Sequence, residues 1–192
     1  MQSTVFIASS LWLISLVYIP LNAAPSINIK TNYYSVFGND SNSLHRSLNN
    51  SGPVGKNGKR YHALTQWKVE WSYRWLETGS MCKLTQTEVQ LEIEYLLPEL
   101  KQTTPGSKIF SDNWDKYFLA LFRHEQQHKD YGVQAATELD KELAAIDPIK
   151  NCTELDSQIA KTAQKILEKY ERIEKEFDRV TNHGLNQGIK LP

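Results

Sequence analysis

The sequence His-Glu-Gln-Gln-His at residues 124–128 constrains the fold of this chain more than any other feature. In a helix, residues four positions apart lie on the same face, so the side chains of His124 and His128 can reach a single metal ion. Glu125 lies about 100° further round the helix, where its carboxylate can act as a general base without binding the metal. This HExxH pattern is typical of zinc-dependent peptidases. It predicts a helix that carries a catalytic zinc site.

A long amphipathic helix is predicted around residues 124–128. Steps of four and three residues trace a single stripe that contains both histidines: Tyr117, Leu121, His124, His128, Tyr131 and Ala135. The stripe is otherwise apolar and faces inward, and a polar ring at a core position costs about 1–3 kcal/mol unless it is bonded. A metal ion would supply that bond. The alternative is that other side chains bond two core histidines and that Glu125 stands there by chance.

The N-terminus has the layout of a secretory signal peptide. Residues 5–19 form an apolar run, Pro20 ends it, and two alanines follow at residues 23–24. The run is shorter than the ~20 residues that a membrane-spanning helix needs. We therefore assign residues 1–24 to a cleaved signal peptide and expect a secreted or periplasmic protein without stable membrane insertion after cleavage.

Removal of the signal peptide leaves residues 25–192, a length suited to one domain with a substantial core. Cys82 and Cys152 are the only cysteines of the chain, too few for a zinc–thiolate cluster. An oxidising compartment pairs such thiols, so we expect a Cys82–Cys152 disulfide. The alternative is two separate buried thiols.

The charge balance argues against a nucleic-acid partner. Lys and Arg together number 22, as do Asp and Glu, so the chain is formally neutral. No basic patch with interleaved aromatic residues appears in the sequence, which is the usual signature of nucleic-acid binding.

The composition of residues 25–105 differs from that of residues 106–192. The first part alternates short runs rich in Tyr, Val, Trp and Ile with turn residues, and residues 61–75 show a clear period of two. The second part predicts two helices, from residue 111 or 112 to about 146 and from 153 to about 177, joined by a short connection. We predict an α+β fold in which N-terminal antiparallel strands pack on a C-terminal helical hairpin that carries the HExxH pattern.

Catalytic zinc is usually held by three protein ligands and a water, so a third ligand is expected. If the second helix runs antiparallel to the first, a rise of about 1.5 Å per residue places Glu171 or Glu174 level with the two histidines. His183 would overshoot them by about 15 Å on a straight helix. It reaches the metal only if the chain leaves the helix near Asp178 and folds back, which the turn-forming residues beside His183 would permit.

Further short motifs extend over nearly the whole of residues 25–192. They are Tyr34-Ser-Val36-Phe-Gly38, Thr65-Gln-Trp67, Trp114-Asp-Lys-Tyr117, the HExxH pattern and a closing Asp178-Arg-Val-Thr181-Asn-His183-Gly184 with Gln187-Gly188. In these motifs the chain resembles a bacterial domain family described as predicted secreted zinc-dependent proteases. The family usually has Tyr before the closing Asp, where this chain has Phe177.

The resemblance implies a single zincin-like domain with metallopeptidase activity over residues 25–192. It also favours His183 as the third zinc ligand. Glu171, Glu174 and Asp178 remain alternatives from the helical geometry. Asp178 can instead accept a hydrogen bond from a ligand imidazole and so hold that ring in place.

The expected reaction is hydrolysis of a peptide bond in a peptide or protein substrate. Zn²⁺ on His124, His128 and His183 would polarise the scissile carbonyl and lower the pKa of its bound water, and Glu125 would take the proton. Tyr131 is a candidate donor to the oxyanion, although packing is its simpler role. The alternatives are a non-catalytic zinc-binding module of the cell envelope and a metal-dependent amidase that acts on cell-wall material.

Overall fold

A computed structural model describes residues 24–55, 57–102 and 107–191. Three strands come first and the two long helices last, so the predicted α+β fold is confirmed. The elements in chain order are strand β1 (Ser26–Phe37), helix α1 (Ser41–Ser51), strands β2 (Leu64–Thr78) and β3 (Met81–Lys101), helices α2 (Lys108–Ala144) and α3 (Cys152–Thr181), and a short 3-10 turn (Leu185–Gln187). The predicted signal peptide, apart from Ala24, lies outside the described residues.

The three strands form one sheet in the order β1-β3-β2. The antiparallel pairing that we predicted is present between β2 and β3, which a tight turn at Gly79 joins. The prediction was wrong for β1, which runs parallel to β3. The reason is topological: α1 and the loop after it return the chain to the same end of the sheet, and the β2–β3 hairpin then places β3 between β1 and β2.

The helical hairpin covers one face of the sheet. Alternate residues of β3 are buried beneath it, among them Leu91 and Ile93, and α2 contributes Leu121 and Leu139 to the same core. A Cys82–Cys152 disulfide joins the start of β3 to the start of α3, which confirms the predicted pairing. The bridge fixes one end of the hairpin against the sheet.

The bounds of both long helices differ from those that the sequence pattern indicated: α2 begins before residue 111 and ends at Ala144 rather than near residue 146, and α3 extends beyond residue 177 to Thr181. The side chain of Ser107 accepts a hydrogen bond from Phe110 N and caps α2, so this helix begins before residue 111. Asn151 caps α3 by accepting a hydrogen bond from Glu154 N at 2.7 Å. Within the described part of the chain, no helix is both long and apolar enough to cross a membrane.

Candidate metal centre

The two histidines of the HExxH pattern lie together on the inner side of α2. His124 is buried and His128 is nearly so, with 5% and 12% of their side chains exposed. Their Nε2 atoms lie 3.3 Å apart. Phe177 of α3 stacks on the His124 ring at a centroid distance of 4.8 Å and meets the His128 ring edge-on. The packing therefore holds both imidazoles with their Nε2 atoms converging, as the helical spacing predicted.

Asp178 of α3 supplies a third atom at the same point. Its Oδ1 lies 3.1 Å from the Nε2 atoms of both His124 and His128. Among the described residues, these three form a group whose ligand atoms lie within 4.8 Å of one another. Tetrahedral ligands at the usual zinc bond length of 2.0–2.1 Å lie about 3.3–3.4 Å apart. The separations of 3.1–3.3 Å therefore suit three donors to one small cation.

The other ring nitrogens of the two histidines are held by acceptor oxygens. His124 Nδ1 lies 2.8 Å from Gln187 Oε1, and His128 Nδ1 lies 3.3 Å from Glu174 Oε1. Since an oxygen acceptor there favours a hydrogen on Nδ1, each imidazole presents Nε2 towards Asp178. The Trp67 indole donates a further hydrogen bond of 2.7 Å to Glu174 Oε1.

The electrostatics of the group favour positive charge. Burial lowers the pKa of His128, but hydrogen bonds to Asp178 and Glu174 outweigh it and raise the pKa to about 10. Burial raises the pKa of Asp178, while hydrogen bonds from His124 and His128 hold it well below its usual range. The aspartate therefore stays ionised beside the imidazoles.

Glu125 lies on the side of α2 that faces β2. Its carboxylate is buried, and its Oε2 accepts a hydrogen bond of 2.6 Å from Thr65 Oγ1. Burial raises the pKa of Glu125, against the opposing effects of Thr65 and the two histidines. A carboxylate with a raised pKa that interacts electrostatically with both imidazoles can accept a proton at the metal group.

His183, the third ligand that the resemblance favoured, lies beside this group rather than in it. Helix α3 continues to Thr181, and the chain then turns through left-handed conformations at Asn182 and His183, both with φ of 50°. His183 Nδ1 is 3.5 Å from Asp178 Oδ2, and about half of the side chain is exposed. Its ring contacts that of Tyr61 at 5.4 Å. The structure thus places His183 on the solvent side of Asp178.

The two glutamates that we considered as ligands occupy different environments. Glu174 contacts the outer nitrogen of His128 and not the Nε2 side. Glu171 is exposed and lies 3.9 Å from Lys175. Of the carboxylate alternatives, only Asp178 therefore joins the metal-capable group.

The turn after α3 accounts for the residue types at positions 181 and 184. Thr181 Oγ1 accepts a hydrogen bond from Gly184 N at 3.3 Å, which supports the turn. Gly184 has a φ of +80°, and an added Cβ there would lie 2.1 Å from Ile189 and 3.3 Å from the His124 ring. The glycine thus lets the C-terminal segment pack on His124 and deliver Gln187 to its Nδ1 atom.

Sequence reasoning assigned no role to Thr65, Trp67 or Gln187. All three occur in the motifs that carry the family resemblance, which was the only signal for them. Tyr131, the candidate oxyanion donor, packs edge-on against Phe177 at 5.7 Å. Its role as a donor stays a prediction.

Comparison with known proteins supports the family but not an activity. The family model described as "Bacterial protein of unknown function (DUF922)" matches residues 31–184. The chain belongs to this family. The match extends from β1 to the closing turn, so it includes His124, His128 and Asp178, and Gln187 lies just beyond it. No curated protein and no solved structure matches the chain.

The Trp67 hydrogen bond should affect metal affinity. In a Trp67→Phe variant the ring can still pack against Gly132, which leaves no space for a Cβ, but the donor to Glu174 is lost. We expect zinc affinity to fall by no more than about tenfold, because Trp67 acts on His128 only through Glu174, and removal of a residue that itself holds a ligand lowers affinity about 10–100-fold. Competition with a fluorescent chelator measures this change. Trp71→Phe, on the same face of β2, is the control and should keep the parent affinity.

Proposed function

We propose that this protein is a metal-dependent hydrolase of peptide bonds that uses zinc held by His124, His128 and Asp178. The observation that carries the proposal is the convergence of the two Nε2 atoms and Asp178 Oδ1 at 3.1–3.3 Å next to Glu125. Three protein donors, with a further position for water, are the usual arrangement of catalytic zinc. The proposal moves the third ligand from His183 to Asp178.

The residues of the site have separate roles in the proposed reaction. A zinc ion in this group would polarise the carbonyl and lower the pKa of an attacking water. Glu125 would accept the proton of that water and pass it to the leaving amine. Thr65 holds the Glu125 carboxylate by a hydrogen bond of 2.6 Å, which limits its rotation. Gln187 and Glu174 keep the two imidazoles oriented.

The donor set supports zinc but is also used by other metals. Two imidazoles and one carboxylate hold catalytic zinc in several peptidases, and the same three donors hold iron in a class of oxygenases. Glu125 favours hydrolysis, because an oxygenase needs no general base at this position of the helix. The first experiment must therefore identify the bound metal.

A secreted or periplasmic location is part of the proposal. The Cys82–Cys152 disulfide suits an oxidising compartment. The signal-like sequence of residues 1–24 supports export.

A non-catalytic zinc-binding module is the second candidate. It is favoured by the burial of Glu125, whose carboxylate oxygen and backbone oxygen both accept from Thr65 Oγ1. Such bonding is also found for residues with a purely structural duty. Activity measurements separate the two candidates, since both would retain the metal.

The proposal is tested on the purified chain that begins at residue 25. We expect about one zinc per chain by elemental mass spectrometry, which also detects iron. A peptide library analysed by mass spectrometry should show cleavage that a chelator abolishes and added zinc restores. Cleavage that survives removal of the metal would contradict the proposal, as would bound iron in place of zinc. Bound zinc without cleavage of any peptide would favour the non-catalytic module.

A further inference from the structure

Strand β1 exposes an apolar face at the edge of the sheet. Among the described residues it pairs only with β3, so its other side is an edge of the sheet, at the end of which Phe37 N donates to Ser47 Oγ of α1. The even-numbered Val36 is the buried residue of β1, and the odd-numbered residues share the opposite face, on which Ile27 and Ile29 are paired with the buried Leu91 and Ile93. On this face four large side chains are 47–57% exposed: Ile27, Ile29, Tyr33 and Phe37. Water-exposed apolar rows of this length are unusual on a sheet edge.

The two edges of the sheet differ in how they are protected against pairing. Strand β2, the other edge, carries a register shift between Arg74 and Trp75 and charged residues along its length, such as Lys68 and Glu70. Bulges and charges of this kind prevent edge-to-edge association. Strand β1 has an unbroken register over its whole length, and Lys30 is its only charged residue. This contrast indicates that the β1 edge pairs with another strand.

We propose that β1 pairs with β1 of a second copy of this chain, antiparallel and about a two-fold axis at Thr31. In this register Ile29 lies opposite the partner's Tyr33, and Tyr33 lies opposite the partner's Ile29. Aromatic and β-branched side chains stabilise each other in such cross-strand pairs, as do two threonines. A register centred on Lys30 would instead bring two lysines together, which is destabilising. In the register centred on Thr31 the β1 sequence is therefore self-complementary.

The pairing would join the two sheets into one of six strands. A two-fold axis perpendicular to the sheet keeps both helical layers on the same face, so the exposed apolar residues of each β1 meet those of the partner between them. The chain is formally neutral, so no net charge repels two copies. The metal-capable group contacts β2 at the opposite edge, through Trp67 and Glu174. The interface does not depend on the proposed function.

Light scattering coupled to size exclusion gives the first test, on the chain that begins at residue 25. We expect twice the mass of one chain over a micromolar concentration series. The double variant Ile29→Lys with Tyr33→Lys should raise the dissociation constant by at least about 100-fold, because it removes the buried apolar contacts. Leu76→Lys, at a similarly exposed site on β2, is the control and should leave the dimer intact. A monomer at all concentrations would overturn the inference.

Cross-linking tests the register without weakening the fold. Cys82 and Cys152 are already paired, so one added cysteine gives one reactive thiol. Thr31→Cys should join two chains through a short bismaleimide, since directly opposed Cβ atoms lie about 4.5–5.5 Å apart. Ser26→Cys, at the end of β1, should not, because the two copies of residue 26 would lie at opposite ends of the paired strands. A dimer that fails to cross-link at residue 31 would place the interface elsewhere and overturn the inference.

Discussion

Replacement of Asp178 by Asn should remove the bound metal from the protein. The variant keeps the shape of the side chain but loses the charge that lies 3.1 Å from both Nε2 atoms. Loss of a residue that merely holds a ligand lowers metal affinity about 10–100-fold, so loss of a charged ligand should lower it by more than about 100-fold. Chelator competition measures the affinity, and circular dichroism checks that the fold is retained.

His183→Ala provides the decisive comparison. His183 lies next to Asp178 but outside the group of converging donors, with about half of its side chain exposed. We expect this variant to keep zinc within about tenfold of the parent affinity, as expected for a neighbour that only positions Asp178. Glu171→Gln, further from the group, should match the parent. Metal loss in His183→Ala together with metal retention in Asp178→Asn would return the third ligand to His183.

The choice between these ligands shows where sequence reasoning was limited. Helical spacing alone placed His124 and His128 side by side, because both lie within one continuous helix. The level of the facing residues on α3 was estimated from the length of the connection, which selected Glu171 or Glu174. Asp178 lies four residues beyond Glu174 along the same stripe of α3. The estimate therefore lies about one turn short of Asp178, because tilt and offset between two helices are set by packing rather than by connection length.

Contacts between segments that are far apart in the chain could not be predicted from the sequence either. The strand runs were recognisable from their period of two, but the parallel placement of β1 beside β3 depends on a pairing between residues about 64 positions apart. Trp67 of β2 donates to Glu174 of α3, and Gln187 contacts His124 only after the closing turn. Such roles are properties of the folded arrangement, since neither side chain has a partner near it in sequence.

The buried position of Glu125 raises the question of whether this carboxylate serves the reaction or the fold. Its environment suits both roles, because desolvation raises its pKa and Thr65 donates a hydrogen bond to one of its carboxylate oxygens. A change that keeps the hydrogen bond but removes the ionisable group separates the two roles. Glu125→Gln is such a change, since the amide oxygen can still accept from Thr65 Oγ1.

We expect Glu125→Gln to keep zinc and the fold but to lose hydrolysis by about 10²–10⁴-fold, the usual contribution of a general base. Thermal stability should not fall, because a neutral amide is less costly to bury than an ionised carboxylate. Glu142→Gln, on an exposed face of α2, is the matched control and should retain full activity. Loss of zinc from Glu125→Gln would identify Glu125 as a ligand, whereas parent-like hydrolysis would show that the proton is taken elsewhere. Either outcome would remove the catalytic role that the HExxH pattern predicts for Glu125.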